Sequence, residues 1–547
     1  MQKFRMKLRD PLTASLASGT GVIALTGCGG GPGGSENEID GFPSTYTPPK
    51  ANYDPPTTPD PNAYILNKEY VEPYWVSALT MSRSEDHIPP MLSKYERNIK
   101  YSFPDTKPTY DHLSISEWQP ATHQMKEAVQ NILANLDSIL DVSFSETMDP
   151  LQTNVITVGL SNQPTTAGTA FFPNNYYNIG MDVIISSEFS MPQFVSEKIT
   201  NYDYEVLVHE LGHALGLKHP FEAVGTSTTI LSPFEDNTSN TAMSYSDNPI
   251  TFDGGLRSLD WMALTKFYGV NPAYNAGDDT YYFSSSMGTF VIDGAGIDTI
   301  SAVDALTDVI IDLRPGGHSY LGKKSNYITE ANQLTISHGS EIENVETGIG
   351  NDIVIATNAD NVISTGAGAD SIFAGDGADT INSGSGSDKI DLSEASQAQD
   401  VIKLDVSHSE DLSVDTIYSF VQGISGDIFD VTSILGPNAK LFPLVAVGNV
   451  PIGNFSMGIL RITGDGIKLA SDLLEAFDPG GYLAQLSISI NLKALIITSE
   501  SQSTGVDQNI FHAEGLGEEM AITQLAILKG NTLDIDEWHV DNFSFVM

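Results

Sequence analysis

Only one cysteine, Cys28, occurs in 547 residues, so no disulfide can form within the chain. Basic residues are scarce too: 26 Lys and Arg stand against 70 Asp and Glu, a formal net charge of −44. Binding a phosphate backbone needs clustered cations, so this balance argues against nucleic-acid partners. The acidity instead keeps a chain soluble and supplies carboxylates for hard cations such as calcium. No run reaches the roughly 18 uncharged apolar residues of a membrane-spanning helix. The nearest stretch, 483–498, alternates like a strand and contains Lys493. The chain is also too long for one core, which predicts about two to four domains.

Histidine is sparse as well, at 11 residues, yet three fall within 209–219, which reads HELGHALGLKH. His209 and His213 are one helical turn apart on the same face, and His219 follows a glycine, Gly216. Three imidazoles on a helix and its exit turn can meet at one tetrahedral cation and leave a fourth position open, which is the pattern of a hydrolytic zinc site. The spacing has a chance of roughly 10⁻⁴ or less of arising by accident. Other histidines, including His112, His123, His318 and His408, carry no such spacing and read as structural.

The chemistry asks for these residue types. Neutral imidazoles hold zinc without cancelling its charge, so a bound water can fall to a pKa of about 7. Glu210 is the candidate general base that takes the water's proton and hands it to the leaving amine. Gly216 lets the chain leave the helix through a positive φ and swing His219 back. With these residues the sequence resembles the metzincin peptidases. The resemblance implies a methionine turn beneath the metal, offered here by Ala242-Met243-Ser244-Tyr245. It implies that Met243 supports the ligands. It also implies that Tyr245 ligates zinc at rest and swings away to hydrogen-bond the transition-state oxygen. The strand-like stretch 168–172 (GTAFF) is either an ordinary sheet strand or, as the resemblance implies, the rim where extended substrate pairs.

Around this motif the chain alternates strand and helix patterns. Residues 98–103 read as a strand, and Ser116 and Gln119 have capping-box spacing. Met125, Val129, Ile132, Leu133, Leu136 and Leu140 then recur at helical spacing. Strand-like runs follow at 141–146, 154–160, 168–172 and 181–186, then a helix over about 203–217 that buries Val206, Leu207, Leu211 and Leu215. A mixed α/β (α+β) catalytic domain over 63–270 is expected, with 63–97 a candidate pro-segment.

Beyond Pro272 the texture changes to Gly, Asp, Ile and Thr, and a nine-residue period runs from 347 to 391. The units are TGIGNDIVI, ATNADNVIS, TGAGADSIF, AGDGADTIN and SGSGSDKID, with an isolated copy, DGAGIDTIS, at 293–301. Glycines at the second and fourth places (Gly348, Gly350, Gly366, Gly368, Gly375, Gly377, Gly384, Gly386) let the backbone bend and point carbonyls inward. The sixth place carries Asp352, Asp370, Asp379 and Asp388, with Asn361 in the second unit. The eighth carries Val354, Ile363, Ile372, Ile381 and Ile390, which should face a core. Oxygens from successive turns suit calcium, and stacked aspartates should make folding depend on it. The stretch resembles the all-β RTX β-roll. All five units lack the first glycine and the second lacks the others, so fewer ions are expected than in a full-consensus roll. The roll is expected over 271–435, and a β-rich region over 436–547.

Zinc helix and roll together resemble the serralysins, secreted bacterial metalloendopeptidases. Tyr204–Pro220, Leu259–Val270, Glu343–Ile363 and Asp415–Val431 are similar to serralysin stretches in the same order, with coverage of about 95 to 435. The resemblance implies a broad endopeptidase with one zinc and several calcium ions, acting on protein and peptide substrates as a monomer. It also implies type I export through an uncleaved C-terminal signal, for which 541–547 is the candidate. The N-terminus points elsewhere. Lys3, Arg5, Lys7 and Arg9 precede a small-residue apolar stretch that ends Leu25-Thr26-Gly27-Cys28, similar to a bacterial lipobox. Residues 1–28 thus read as a signal peptide with lipid on Cys28, and 29–62 as a Gly/Pro-rich disordered tether. The expected location is extracellular or the bacterial cell surface, as an outer-membrane lipoprotein if Cys28 is lipidated. Two other readings stay open: a non-catalytic calcium-dependent surface or adhesion module, and a narrow processing peptidase.

Overall fold

The computed structural model describes residues 24–25, 73–81, 84–94, 96–109, 117–163, 166–174, 180–187, 201–224, 227–246, 255–404, 413–422, 425–435, 445–446, 454–463, 487–499, 506–516, 519–529 and 542–544. Cys28, the tether, Ser116, His112 and His408 lie outside them, as does most of 541–547.

The N-terminal part is a mixed sheet covered by helices. Its strands are β1 (Ala24–Leu25), β2 (Asn98–Ser102), β3 (Gln119–Pro120), β4 (Ser143–Glu146), β5 (Ile156–Ser161), β6 (Gly168–Phe171) and β7 (Val183–Ser186), in the order β1-β6-β7-β5-β2-β4, with β3 paired to β5. β5 is buried along its whole length, as a central strand flanked by parallel partners should be. β6 runs antiparallel to β7, and its other side is paired by Ala24–Leu25.

Among the described residues, five helices accompany the sheet: α1 (Tyr74–Leu79), α2 (Ser84–Lys94), α3 (His123–Ile139), α4 (Asn201–Ala214) and α5 (Ser258–Tyr268). On α3 the residues Met125, Val129, Ile132, Leu133 and Leu136 are all buried, each contributing about 1.5–3 kcal/mol. This helix starts later than the capping-box spacing suggests. Gln119 is taken by β3, where it pairs with Leu160, and Thr122 caps the helix by accepting from the Met125 N–H at 3.2 Å. A local cap signal lost to a strand edge available only in the fold.

α4 crosses β6 and β7 and buries Val206, Leu207 and Leu211, with Leu215 just beyond its end. It stops at Ala214, short of the expected 217, because Gly216 turns out at φ +105°. α1, α2 and residues from all the other helices share one core with the sheet, and Ile328 joins it from the following β region.

From Thr280 on, the described strands form two sheets, short and mostly parallel through 428–430, with antiparallel pairs at 309–336 and among the longer strands 487–499, 508–516 and 519–529. Each nonapeptide gives a three-residue strand and a turn, so successive units alternate between sheets and a full coil takes 18 residues. Val345, Ile363, Ile381, Ile402 and Phe429 stack in register in one sheet. Ile311, Val354, Ile372, Ile390 and Ile417 do so in the other. All ten are essentially inaccessible and line a single core, as the eighth-place pattern predicts. The C-terminal strands extend the same sheets: 519–529 pairs parallel with 415–418, and Phe543–Ser544 with 429–430. The architecture is a mixed α/β part followed by a parallel β-roll with a β-rich C-terminus.

Candidate metal centre

α4 and its exit turn bring the three predicted histidines to one point. Nε2 of His219 lies 3.2 Å from Nε2 of His209 and 3.1 Å from that of His213. The other ring nitrogen of each meets an oxygen. Nδ1 of His209 is 2.8 Å from the Ala242 carbonyl, that of His213 is 2.7 Å from the Leu217 carbonyl, and that of His219 is 3.0 Å from a Glu222 carboxylate oxygen. Carbonyls and carboxylates only accept, so each Nδ1 carries the proton and each Nε2 presents a lone pair. All three rings are buried, which drives their pKa values down, that of His209 to about 4. Three neutral lone pairs converging at this distance repel unless a cation lies among them. The donor set fits zinc.

Glu210 sits on the same helix turn, fully buried, with neither carboxylate oxygen hydrogen-bonded. Burial pushes its pKa up to about 8. Space for it comes from Gly168 on β6, where a Cβ would stand 2.7 Å from the Glu210 side chain. The Tyr245 hydroxyl joins the cluster at 2.8 Å from Nε2 of His219. Met243 is completely buried under α4, and its sulfur would be 2.6 Å from a Cβ on Gly212.

Two supporting residues were not anticipated. Asp260, in the first turn of α5, accepts from the Thr241 hydroxyl (2.5 Å), the Ala242 N–H (2.7 Å) and the Arg257 N–H (2.8 Å), so it holds the turn whose carbonyl orients His209. An acidic residue suits a first helical turn, but Arg257 three residues earlier is not a capping residue type, so the sequence does not announce this role. Lys218 is wholly buried, and its ammonium donates to the carbonyls of Ala78 (2.6 Å), Glu222 (2.9 Å), Thr229 (3.1 Å) and His219 (3.3 Å). Nothing local in the sequence marks it.

In the roll, the predicted aspartates stack on turns 18 residues apart. One Oδ1 of each accepts the N–H of the turn before: Asp352 from Val309, Asp370 from Asp352 and Asp388 from Asp370 on one side, and Asp379 from Asn361 on the other. Both ladders continue past the nonapeptides, through Asp415 on the first side and through Asp400 and Asp427 on the second. Oδ2 of Asp352, Asp370, Asp379 and Asp400 is buried without a hydrogen bond, an arrangement that fits cation ligands. Of the eight turn glycines, all but Gly348 have positive φ. Gly348 is excluded from bearing a side chain for another reason, since its Cβ would press on the Val303 and Ala305 carbonyls. A second acidic group, Asp279, Asp293 and Asp298, gathers at the isolated copy, with Oδ2 of Asp298 buried and unpartnered.

Comparison with known proteins agrees with this geometry. The RTX calcium-binding nonapeptide repeat family matches residues 355–390, in 4 copies. The serralysin of Proteus mirabilis is 27 % identical over 307 residues, 48 % of this chain and 60 % of that protein. Serralysin C of Dickeya chrysanthemi is 31 % identical over 216 residues (35 % and 43 %), and metallopeptidase AprA of Pseudomonas marginalis is 30 % identical over 194 (30 % and 39 %). The chain thus spans about 60 % of the length of the first of these relatives. By its matched segments, its repeats and its histidine cluster, the chain is similar to the serralysin-type metallopeptidases over about half of its length, and its residues 355–390 match the RTX calcium-binding nonapeptide repeat.

Proposed function

We propose that the chain is a zinc-dependent metalloendopeptidase whose calcium-stabilised roll supports the catalytic part. The observation that carries this reading is the convergence of three Nε2 lone pairs beside a buried carboxylate with no hydrogen-bond partner. His209, His213 and His219 hold the metal, with Tyr245 as a fourth ligand at rest. When bound, zinc supplies a Lewis acid that polarises the scissile carbonyl and acidifies water toward neutrality.

Glu210 takes the proton of the attacking water and returns it to the leaving amine. Burial pushes its pKa up, and a cation held by the three histidines would oppose that shift and favour the carboxylate form that accepts a proton. Tyr245 donates its phenol proton as a hydrogen bond to the oxygen that gains charge in the transition state. Extended substrate pairs along β6, beside Glu210. That two residues of the chain's own N-terminal stretch already run antiparallel there supports an edge open to an added strand. Asp352, Asp370, Asp379 and Asp388 with the turn glycines, joined by Asp400, hold calcium in the roll.

Casein hydrolysis by wild type and Glu210→Ala, with and without a zinc chelator, tests the reading: activity is expected only for metal-loaded wild type. A lipid on Cys28 would tie the enzyme to the cell surface, and incorporation of a palmitate analogue by wild type but not Cys28→Ala tests that separately.

A further inference from the structure

Helix α1 touches both the roll and the metal centre. At its first residue, the Tyr74 hydroxyl donates to the buried Glu235 carboxylate (3.0 and 2.8 Å) and accepts from the Ile328 N–H at 3.0 Å. Thr329 donates to the same carboxylate at 2.9 Å. Ile328 and Thr329 lie between the roll strands His318–Leu321 and Gln333–Ile336. Next to these bonds, the Trp75 ring stands 5.9 Å from His318, and Phe234 stacks on Tyr327 at 4.9 Å.

The other end of α1 grips the zinc loop. The Ala78 carbonyl accepts from the Lys218 ammonium, the Leu79 carbonyl accepts from the Lys218 N–H at 2.8 Å, and Thr80 forms a β-bridge with Leu217. Leu217 supplies the carbonyl that orients His213, and Lys218 precedes His219. Trp75, Val76, Ala78 and Leu79 are buried between these two ends.

We infer that α1 is a positioning brace through which the calcium-loaded roll holds His213 and His219 in place, so that retention of zinc depends on calcium bound in the adjoining roll. The inference rests on the zinc reading above. Its physical warrant is a run of contacts from the Ile328 N–H and the Glu235 carboxylate through Tyr74 and one short helix to Lys218, which stands between Leu217 and His219 and bonds to the Leu79 and Ala78 carbonyls. Coupling of this kind is reciprocal, so zinc should also tighten calcium binding. A further consequence is that residues from Tyr74 onward are part of the working enzyme, and cleavage after residue 97 would remove the brace.

The test uses the full-length, zinc-loaded chain and follows zinc release to a chromophoric chelator as calcium is varied. Wild type is expected to release zinc slowly at saturating calcium and about tenfold faster once calcium falls below the range that orders the roll. Tyr74→Phe and Thr329→Val are expected to release it quickly at every calcium level, while their zinc-free roll titrates with calcium as that of zinc-free wild type does. Thr329→Val lies wholly in the roll, so it guards against a folding defect in α1. A purely structural role would lower thermal stability and leave the calcium dependence of release unchanged. Stoichiometric zinc released at a calcium-independent rate, or variants that behave as wild type, overturns the brace alone. A chain that binds no zinc overturns the underlying reading with it.

Discussion

The Tyr245 hydroxyl lies 2.8 Å from Nε2 of His219, the same nitrogen that stands 3.2 Å and 3.1 Å from those of His209 and His213. Four polar groups from the helix, its exit turn and the methionine turn thus share one point. If the phenol stabilises developing charge, Tyr245→Phe should keep its zinc and lose about 10²-fold in kcat, with KM little changed. Peptide hydrolysis kinetics and zinc content on the same preparation check this. A kcat within twofold of wild type would remove Tyr245 from the chemistry.

Asp260 makes a different kind of contribution. Its carboxylate takes three hydrogen bonds at the start of α5, and the Ala242 carbonyl held by that turn orients His209. Asp260→Ala strands buried donors, so a loss of roughly 3 kcal/mol is expected. Misorientation of His209 should weaken zinc binding about 10- to 100-fold. Denaturant unfolding and a competitive zinc titration measure the two effects. Normal zinc affinity in a destabilised variant would confine Asp260 to stability.

In the roll, burial lifts the carboxyls of Asp370 and Asp379 to about 7 and those of Asp400 and Asp415 to about 8. A carboxyl whose folded pKa exceeds its unfolded value, about 3.9, supports folding below that value and withdraws the support as pH rises through the folded pKa. Calcium-stripped protein should therefore keep roll structure near pH 5 and lose it progressively toward pH 8, where added calcium restores it. Far-ultraviolet circular dichroism across that range reports the transition. A signal flat from pH 5 to 8 without calcium would contradict the argument.

The convergence of His209, His213 and His219 was legible in the sequence because helical spacing and a glycine exit are local rules. The roll was legible because its period is local too. Val354, Ile363, Ile372, Ile381 and Ile390 all face the core as their positions require. What escaped is tertiary. Gly212 and Gly168 are empty of side chain because Met243 and Glu210 occupy the space, and nothing next to either glycine announces those neighbours. Lys218 owes its place to carbonyls contributed by α1 and the loop that follows it. Asp400, Asp415 and Asp427 continue the aspartate ladders after the spacing between turns has lengthened, which hides them from a nine-residue count. The start of α3 was misplaced for the same reason, since the edge of β5 claims Gln119.

The most direct test of the account is Glu210→Ala, assayed for casein hydrolysis with its fold and zinc content verified. The variant should bind one zinc per chain, as wild type does, and lose about 10²- to 10⁴-fold in kcat/KM, because the ligands remain and only the proton acceptor is gone. Hydrolysis at the wild-type rate by the zinc-loaded variant would contradict it.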